Sequence, residues 1–179
     1  MGKRSNFKRR KQDKYYTPLE AVVPLIPHIA NVDSFIEPCA GDGRLITHLN
    51  TLGVKNCLYA GDIAPPKNQT AITRQDALKL DHTYGASHII TNPAWTRVIL
   101  HKMIEHFRQL APTWLLFDAD WAHTQQSEPY MRHCHKVVSV GRIKWIEGTK
   151  HKSKDSGAWY LFTNEQNQGY APFYGRKKT

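Results

Sequence analysis

No apolar run in the chain approaches the ~20 residues that a bilayer-spanning helix needs, and the N-terminus lacks the apolar core of a secretion signal. Both absences argue against a membrane or exported protein. Cysteine is scarce: Cys39, Cys57 and Cys134 are too few and too irregularly spaced for a disulfide framework. That usage fits a reducing cytoplasm. Met1-Gly2 opens like a myristoylation signal, but Asn6 stands where serine or threonine is needed. The chain has no Walker glycine loop and no G-x-S-x-G elbow, which counts against P-loop and serine-hydrolase chemistry. His133-Cys134-His135 has no second cluster such as C-x-x-C to complete a zinc site, so no metal is expected.

Acidic residues are also in short supply. Fifteen Asp and Glu face 25 Lys and Arg, giving a net charge of +10 and a pI near 9.6. The excess falls in three places: Lys3 to Lys14, Arg142 to Lys154, and Arg176-Lys177-Lys178. A polyanion partner follows, since phosphate contacts and counterion release supply most non-specific nucleic-acid affinity. The alternative is a solvated basic tail that serves solubility. The candidate nucleic-acid-binding residues are Lys8, Arg9, Arg10, Lys11, Arg142, Lys144, Lys150, Lys152 and Lys154.

At 179 residues, 40% hydrophobic and 22% charged, the chain suits one globular domain. Residues 1–12 read as a disordered basic arm and 13–179 as that single domain. Strands are expected at 34–37, 57–61, 70–74, 87–91, 113–118, 136–145 and 158–163. Helices are expected at 43–52, 97–110 and 124–132. A further helix over 18–29 would start from a capping box, Thr17 to Glu20, with Pro18 in its first turn. Pro24 and Pro27 would shorten or kink it. The alternation describes an α/β, doubly wound, mostly parallel sheet. A hairpin across Gly148–Gly157 adds one antiparallel strand near the C-terminus. This polar, glycine-bounded segment reads as a mobile loop, either gripping phosphates or simply solvated.

Two stretches carry the chemistry. In Phe35-Ile36-Glu37-Pro38-Cys39-Ala40-Gly41-Asp42-Gly43-Arg44, a strand runs into a glycine turn and then a helix. Glycines at 41 and 43 admit a ligand close to the backbone, next to a helix N-terminus. Asp62 follows the second strand, where nucleotide-binding αβ units place a ribose-binding carboxylate. Ile46 occupies the third glycine position of G-x-G-x-x-G, which counts against a dinucleotide.

The stretch resembles motif I of the class I S-adenosylmethionine-dependent methyltransferases, in the Asp/Glu-Pro-x-x-Gly-x-Gly form of DNA amino-methyltransferases. Tyr15-Tyr16-Thr17-Pro18 resembles motif X of adenine-N6 DNA methyltransferases, which lies against the methionine end of the cofactor. Asn92-Pro93-Ala94-Trp95, after the strand ending at Thr91, is similar to motif IV, Asn/Asp-Pro-Pro-aromatic. Here Ala94 replaces the usual second proline and removes a φ constraint. The order X, I, IV resembles the compact, phage-type adenine-N6 enzymes, as does Gly141-Arg142-Ile143-Lys144-Trp145, less specifically.

The resemblance implies S-adenosyl-L-methionine as cofactor and DNA as partner, with RNA possible. It also implies a Rossmann-like methyltransferase sheet without a separate target-recognition domain. Glu37 then resembles the acid near the methionine amino group; Asp62 matches the ribose carboxylate, and Ile63 the adenine face. Asp76-Ala77 resembles the pair that reads the adenine amine, and Pro38, Ala40 and Asp42 complete the turn. Each aspartate is equally suited to capping a helix or turn. In the same resemblance Asn92 and the Pro93 carbonyl accept hydrogen bonds from a planar NH₂, and Trp95 stacks on an extruded base. Trp121 either lines that pocket or packs in the core. The remaining readings are an N-methyltransferase of RNA or of a protein glutamine, and a binding module without turnover.

Overall fold

A computed structural model describes residues 15–146, 148, 152–169 and 171–176. In chain order its elements are α1 (Leu19–Val22), a 3₁₀ segment (Val23–His28), β1 (Phe35–Glu37), α2 (Arg44–Thr51) and β2 (Cys57–Asp62). There follow β3 (Thr73–Arg74), a 3₁₀ turn (Ala77–Lys79), β4 (His88–Thr91), α3 (Arg97–Leu110) and β5 (Thr113–Asp118). Two 3₁₀ turns (Ala119–His123, Gln125–Ser127), α4 (Glu128–Met131), β6 (Cys134–Arg142), β7 (Ser156–Phe162) and β8 (Phe173–Tyr174) complete the elements of the described residues. The strands form one sheet in the order β3-β2-β1-β4-β5-β7-β6-β8. β7 runs antiparallel to both its neighbours, and every other described pairing is parallel. The expected α/β, doubly wound sheet with one antiparallel strand is therefore present.

The near-continuous apolar strands explain why the sheet is covered on both faces. Successive residues point to opposite sides. Ile89, Leu115, Phe117 and Tyr160 meet α3 through Leu100, Ile104 and Phe107. Ile90, Trp114, Leu116 and Trp159 meet α1 and α2 through Ala21, Val22, Leu45 and Leu49. Trp159, fully buried, donates its indole N–H to the Ala21 carbonyl at 2.7 Å and so fastens the N-terminal segment to β7. No helix among the described residues is long and apolar enough to cross a membrane.

The structure corrects several local expectations. The helix expected over 18–29 is a four-residue α1 followed by a 3₁₀ segment, with Pro24 opening it and Pro27 inside it. Proline lacks the N–H that α-helical bonding needs, so the tighter turn takes over. The capping box does not form: Pro18 occupies the N-cap without a side-chain bond, Thr17 is buried, and Glu20 accepts the Lys144 backbone N–H at 2.8 Å. A tertiary partner has outcompeted the local one. The helix expected over 124–132 divides into a 3₁₀ turn and α4, whose first turn holds Pro129. The strand expected over 70–74 pairs only at 73–74, because backbone turns closed by Pro66 and Gln69 precede it. β6 spans 134–142 rather than 136–145, and β8 is an edge strand the sequence did not disclose. Trp121 packs in the core against Phe117 and Tyr160.

Candidate active site

The chain passes from β1 outward to β2 and β3, then returns to place β4 on the other side of β1. The carboxyl ends of β1 and β4 thus flank the topological switch point, where open α/β sheets bind ligands. β1 ends at Glu37, and β4 ends one residue before Asn92.

Beyond Glu37 the chain turns through Gly41 (φ 57°) and Gly43 (φ 81°), both in the left-handed region that favours glycine. Gly43 is the N-cap of α2. The turn is held by three backbone N–H groups: Ala40 donates to the Gly61 carbonyl at 2.8 Å, Gly43 to Ala40 at 2.7 Å, and Gly41 to Asp62 Oδ2 at 2.8 Å. Asp62 Oδ1 also accepts the Ala64 N–H at 2.8 Å, so one carboxylate ties the glycine turn to the end of β2. Asp42 accepts the Arg44 N–H and pairs with its guanidinium at 3.3 Å. Asp76 caps the 3₁₀ turn by accepting the Leu78 N–H at 3.0 Å, with Ala77 buried behind it. The capping roles open to these aspartates are therefore realised, at positions facing the same strand ends.

Two features of this cradle fit a cationic, partly apolar nucleoside ligand. Glu37 is 1% exposed, and its Oε2 has no hydrogen-bond partner. Burial foremost, then the nearby Asp62 and Asp42 charges, raises its pKa well above the usual carboxylate range. An ammonium group placed there would relieve both penalties. Ile63, next to the Asp62 carboxylate, leaves 57% of its surface in solvent, an apolar face available to a purine. Cys39 lies in the same turn, and burial chiefly, with Asp62, Glu37 and Asp76 adding, raises its pKa so far that the neutral thiol persists.

The segment before α1 joins this turn to the Asn-Pro stretch. A Cβ added at Gly41 would lie 3.3 Å from the Tyr16 ring, and the Arg44 guanidinium sits 5.4 Å from that ring's centroid. One residue earlier, the Tyr15 carbonyl accepts from Asn92 Nδ2 at 3.1 Å. Asn92 Oδ1 in turn accepts from Trp95 Nε1 at 3.2 Å, and the same N–H is shared with the Leu116 carbonyl at 3.1 Å. The Trp95 ring meets Trp145 edge-on, with centroids 5.5 Å apart and planes at 84°. Trp145 also meets Tyr15, with ring centroids 6.0 Å apart. Trp145 was not among the site residues expected from the sequence. Its signals were alternation after the exposed Lys144 and the less specific resemblance of the stretch from Gly141 to Trp145, and nothing in the spacing said what it would face.

Of the basic candidates, Arg142, Lys144, Lys152 and Lys154 are exposed at the β6–β7 connection. Ser153 closes that connection by donating its N–H to the Ile143 carbonyl at 2.9 Å and accepting the Ile143 N–H on Oγ at 3.3 Å. Lys8, Arg9, Arg10, Lys11 and Lys150, and the arm at 1–12, lie outside the described residues.

Among the described residues, the order of the sheet, its one reversed strand and the glycine turn after β1 match the Rossmann-like α/β fold of solved methyltransferase structures. The sequence matches no protein-family model and no curated protein. Solved structures do match. A candidate RNA methyltransferase from Pyrococcus horikoshii superposes with a TM-score of 0.56 at 16% identity, covering 91% of this chain and 94% of its own. A candidate class I S-adenosylmethionine-dependent methyltransferase from Listeria monocytogenes gives 0.56 at 10% identity, covering 91% of this chain and 66% of its own. The type I restriction-modification methyltransferase subunit from Streptococcus thermophilus gives 0.55 at 9% identity and 90% coverage, with this chain spanning 47% of its length.

Proposed function

We propose that this protein transfers a methyl group from S-adenosyl-L-methionine to the exocyclic N6 amine of adenine in DNA. One observation supports this reading above the others. Of two residues adjacent in sequence, Tyr15 accepts from Asn92 of the Asn-Pro turn and Tyr16 lies over the glycine turn, so both turns lie at one end of the sheet. The cofactor, when bound, supplies an electrophilic methyl group on a sulfonium. Glu37 would hold its ammonium, Asp62 its ribose hydroxyls, and Ile63 and Asp76-Ala77 its adenine, with Tyr16, Thr17 and Pro18 closing over the glycine turn.

An aromatic amine is a poor nucleophile because its lone pair is delocalised into the ring. Asn92 Oδ1 and the Pro93 carbonyl accept its two N–H bonds and favour a more tetrahedral nitrogen, with its lone pair free to attack. Positioning and fixed dipoles supply the acceleration, and no strong base is required before transfer. Trp95 and Trp145 offer the aromatic surface that offsets unstacking of the extruded base. The exposed cations of the β6–β7 connection bind the phosphate backbone.

RNA remains the competing substrate, favoured by the near-complete span of the Pyrococcus structure. The test incubates the protein with methyl-labelled cofactor and, separately, DNA, RNA and cell protein, then digests the labelled polymer to its modified unit. Label in N6-methyladenine of DNA is the expected result, abolished in Asn92→Ala while that variant still binds cofactor. Label confined to RNA or to protein glutamine overturns the substrate, and no label anywhere overturns the enzyme.

A further inference from the structure

The two hydrogen bonds on the Asn92 carboxamide have opposite and fixed senses. The Tyr15 carbonyl can only accept, and the Trp95 indole N–H can only donate. Between them they determine which end of the amide is oxygen: Nδ2 faces Tyr15 at 3.1 Å and Oδ1 faces Trp95 at 3.2 Å. This matters because an asparagine flipped by 180° about its amide would present N–H donors to an incoming NH₂, donor against donor. The indole N–H is also shared with the Leu116 carbonyl at 3.1 Å, at the well-buried β5 strand. If the Oδ1 half of that shared bond lengthens when a substrate amine arrives, the indole keeps its other acceptor. The second lone pair of Oδ1 remains for the amine.

From this geometry we infer that Trp95 is a positioning residue acting through its indole N–H, locking the Asn92 carboxamide in the acceptor orientation together with the Tyr15 carbonyl. The inference rests on the amine-methylating role proposed for Asn92. It assigns to Trp95 a function that stacking on a base does not require, since a phenyl or thiophene-fused ring stacks equally without an N–H. It also makes the N-terminal segment part of the reacting site, because a backbone carbonyl of that segment is one jaw of the lock. Phenylalanine or tyrosine at position 95 would leave Asn92 Oδ1 without this donor.

The test replaces Trp95 with 3-benzothienylalanine, a tryptophan isostere with sulfur in place of N–H, and with phenylalanine (Trp95→Phe). Both variants are expected to lower kcat by about tenfold, the scale of one broken hydrogen bond in a buried site. In the benzothienyl variant, which keeps the fused-ring area, KM for DNA and cofactor affinity should stay within twofold, while Tm falls modestly because the Leu116 carbonyl loses the same donor. Equal kcat in the benzothienyl variant and the wild type overturns the inference. So does a parallel loss of cofactor affinity, which would make Trp95 merely structural. A second readout is independent of turnover: hydrogen exchange of the Asn92 side-chain NH₂, followed by NMR, should accelerate about tenfold in the benzothienyl variant. Unchanged exchange overturns the lock. Absence of methyl transfer by the wild-type protein on every polymer overturns the proposed function instead, and the exchange measurement still decides the orientation.

Discussion

At the scale of single residues, the buried carboxyl of Glu37 is the feature that most supports the proposed cofactor site. An unpartnered Oε2 on a side chain 1% exposed costs stability that packing alone would not retain. Its pKa is raised in the folded protein, so the native state holds a proton that the unfolded chain has already released. Stability from this group is complete below the ordinary carboxylate value of 4.5 and is lost as pH rises through the folded value. Glu37→Gln should therefore raise the Tm of the ligand-free protein at pH 8, with the gain over wild type shrinking as the pH falls through the folded value and gone below the ordinary value of 4.5. The same variant should bind S-adenosylmethionine about tenfold more weakly, the loss expected for a charge-assisted hydrogen bond. Calorimetry measures the affinity and melting against pH measures the sign.

At the scale of elements, two glycines that adjoin the site fail for different reasons when substituted. Gly41 sits at φ 57°, a conformation that costs an L residue about 1–2 kcal/mol, and an added methyl would press on the Tyr16 ring at 3.3 Å. Gly61 has no such backbone demand. A Cβ there would lie 2.6 Å from Tyr59 Oη, which is held by stacking on Tyr84 at 4.4 Å and by donating to Gln75 Oε1 at 2.6 Å. Gly61→Ala should cost about 1–3 kcal/mol through overpacking. In the Tyr59→Phe background, with the hydroxyl gone, that cost should fall, whereas the cost of Gly41→Ala should not change. Chemical denaturation of the single and double variants measures the coupling.

At the scale of the whole molecule, a net charge of +10 makes association with nucleic acid steeply salt-dependent if the exposed cations meet phosphates. Replacing Lys144 and Lys152 by glutamine should lower the slope of log K against log salt by about 1 for each phosphate no longer neutralised, across all DNA sequences alike. An unchanged slope would place the phosphate-binding surface elsewhere.

The alternation of apolar strands with helices determined the doubly wound sheet from sequence alone, because burial on both faces demands near-continuous apolar strands such as Thr113–Asp118. The glycine turn and the Asn-Pro turn were legible for a related reason: φ values above zero and a missing N–H are properties of Gly41, Gly43 and Pro93 themselves. What the sequence left open depended on partners remote in the chain. Glu20 gave up its local cap for the Lys144 N–H, 124 residues away, and Trp95 shares its N–H between the nearby Asn92 and the Leu116 carbonyl on β5. Trp145 joined the site because the chain beyond β6 runs beside Tyr15. Local pattern settles a backbone's conformation, but a side-chain donor is satisfied by whichever acceptor folding brings within about 3 Å, and that choice exists only in the assembled tertiary structure.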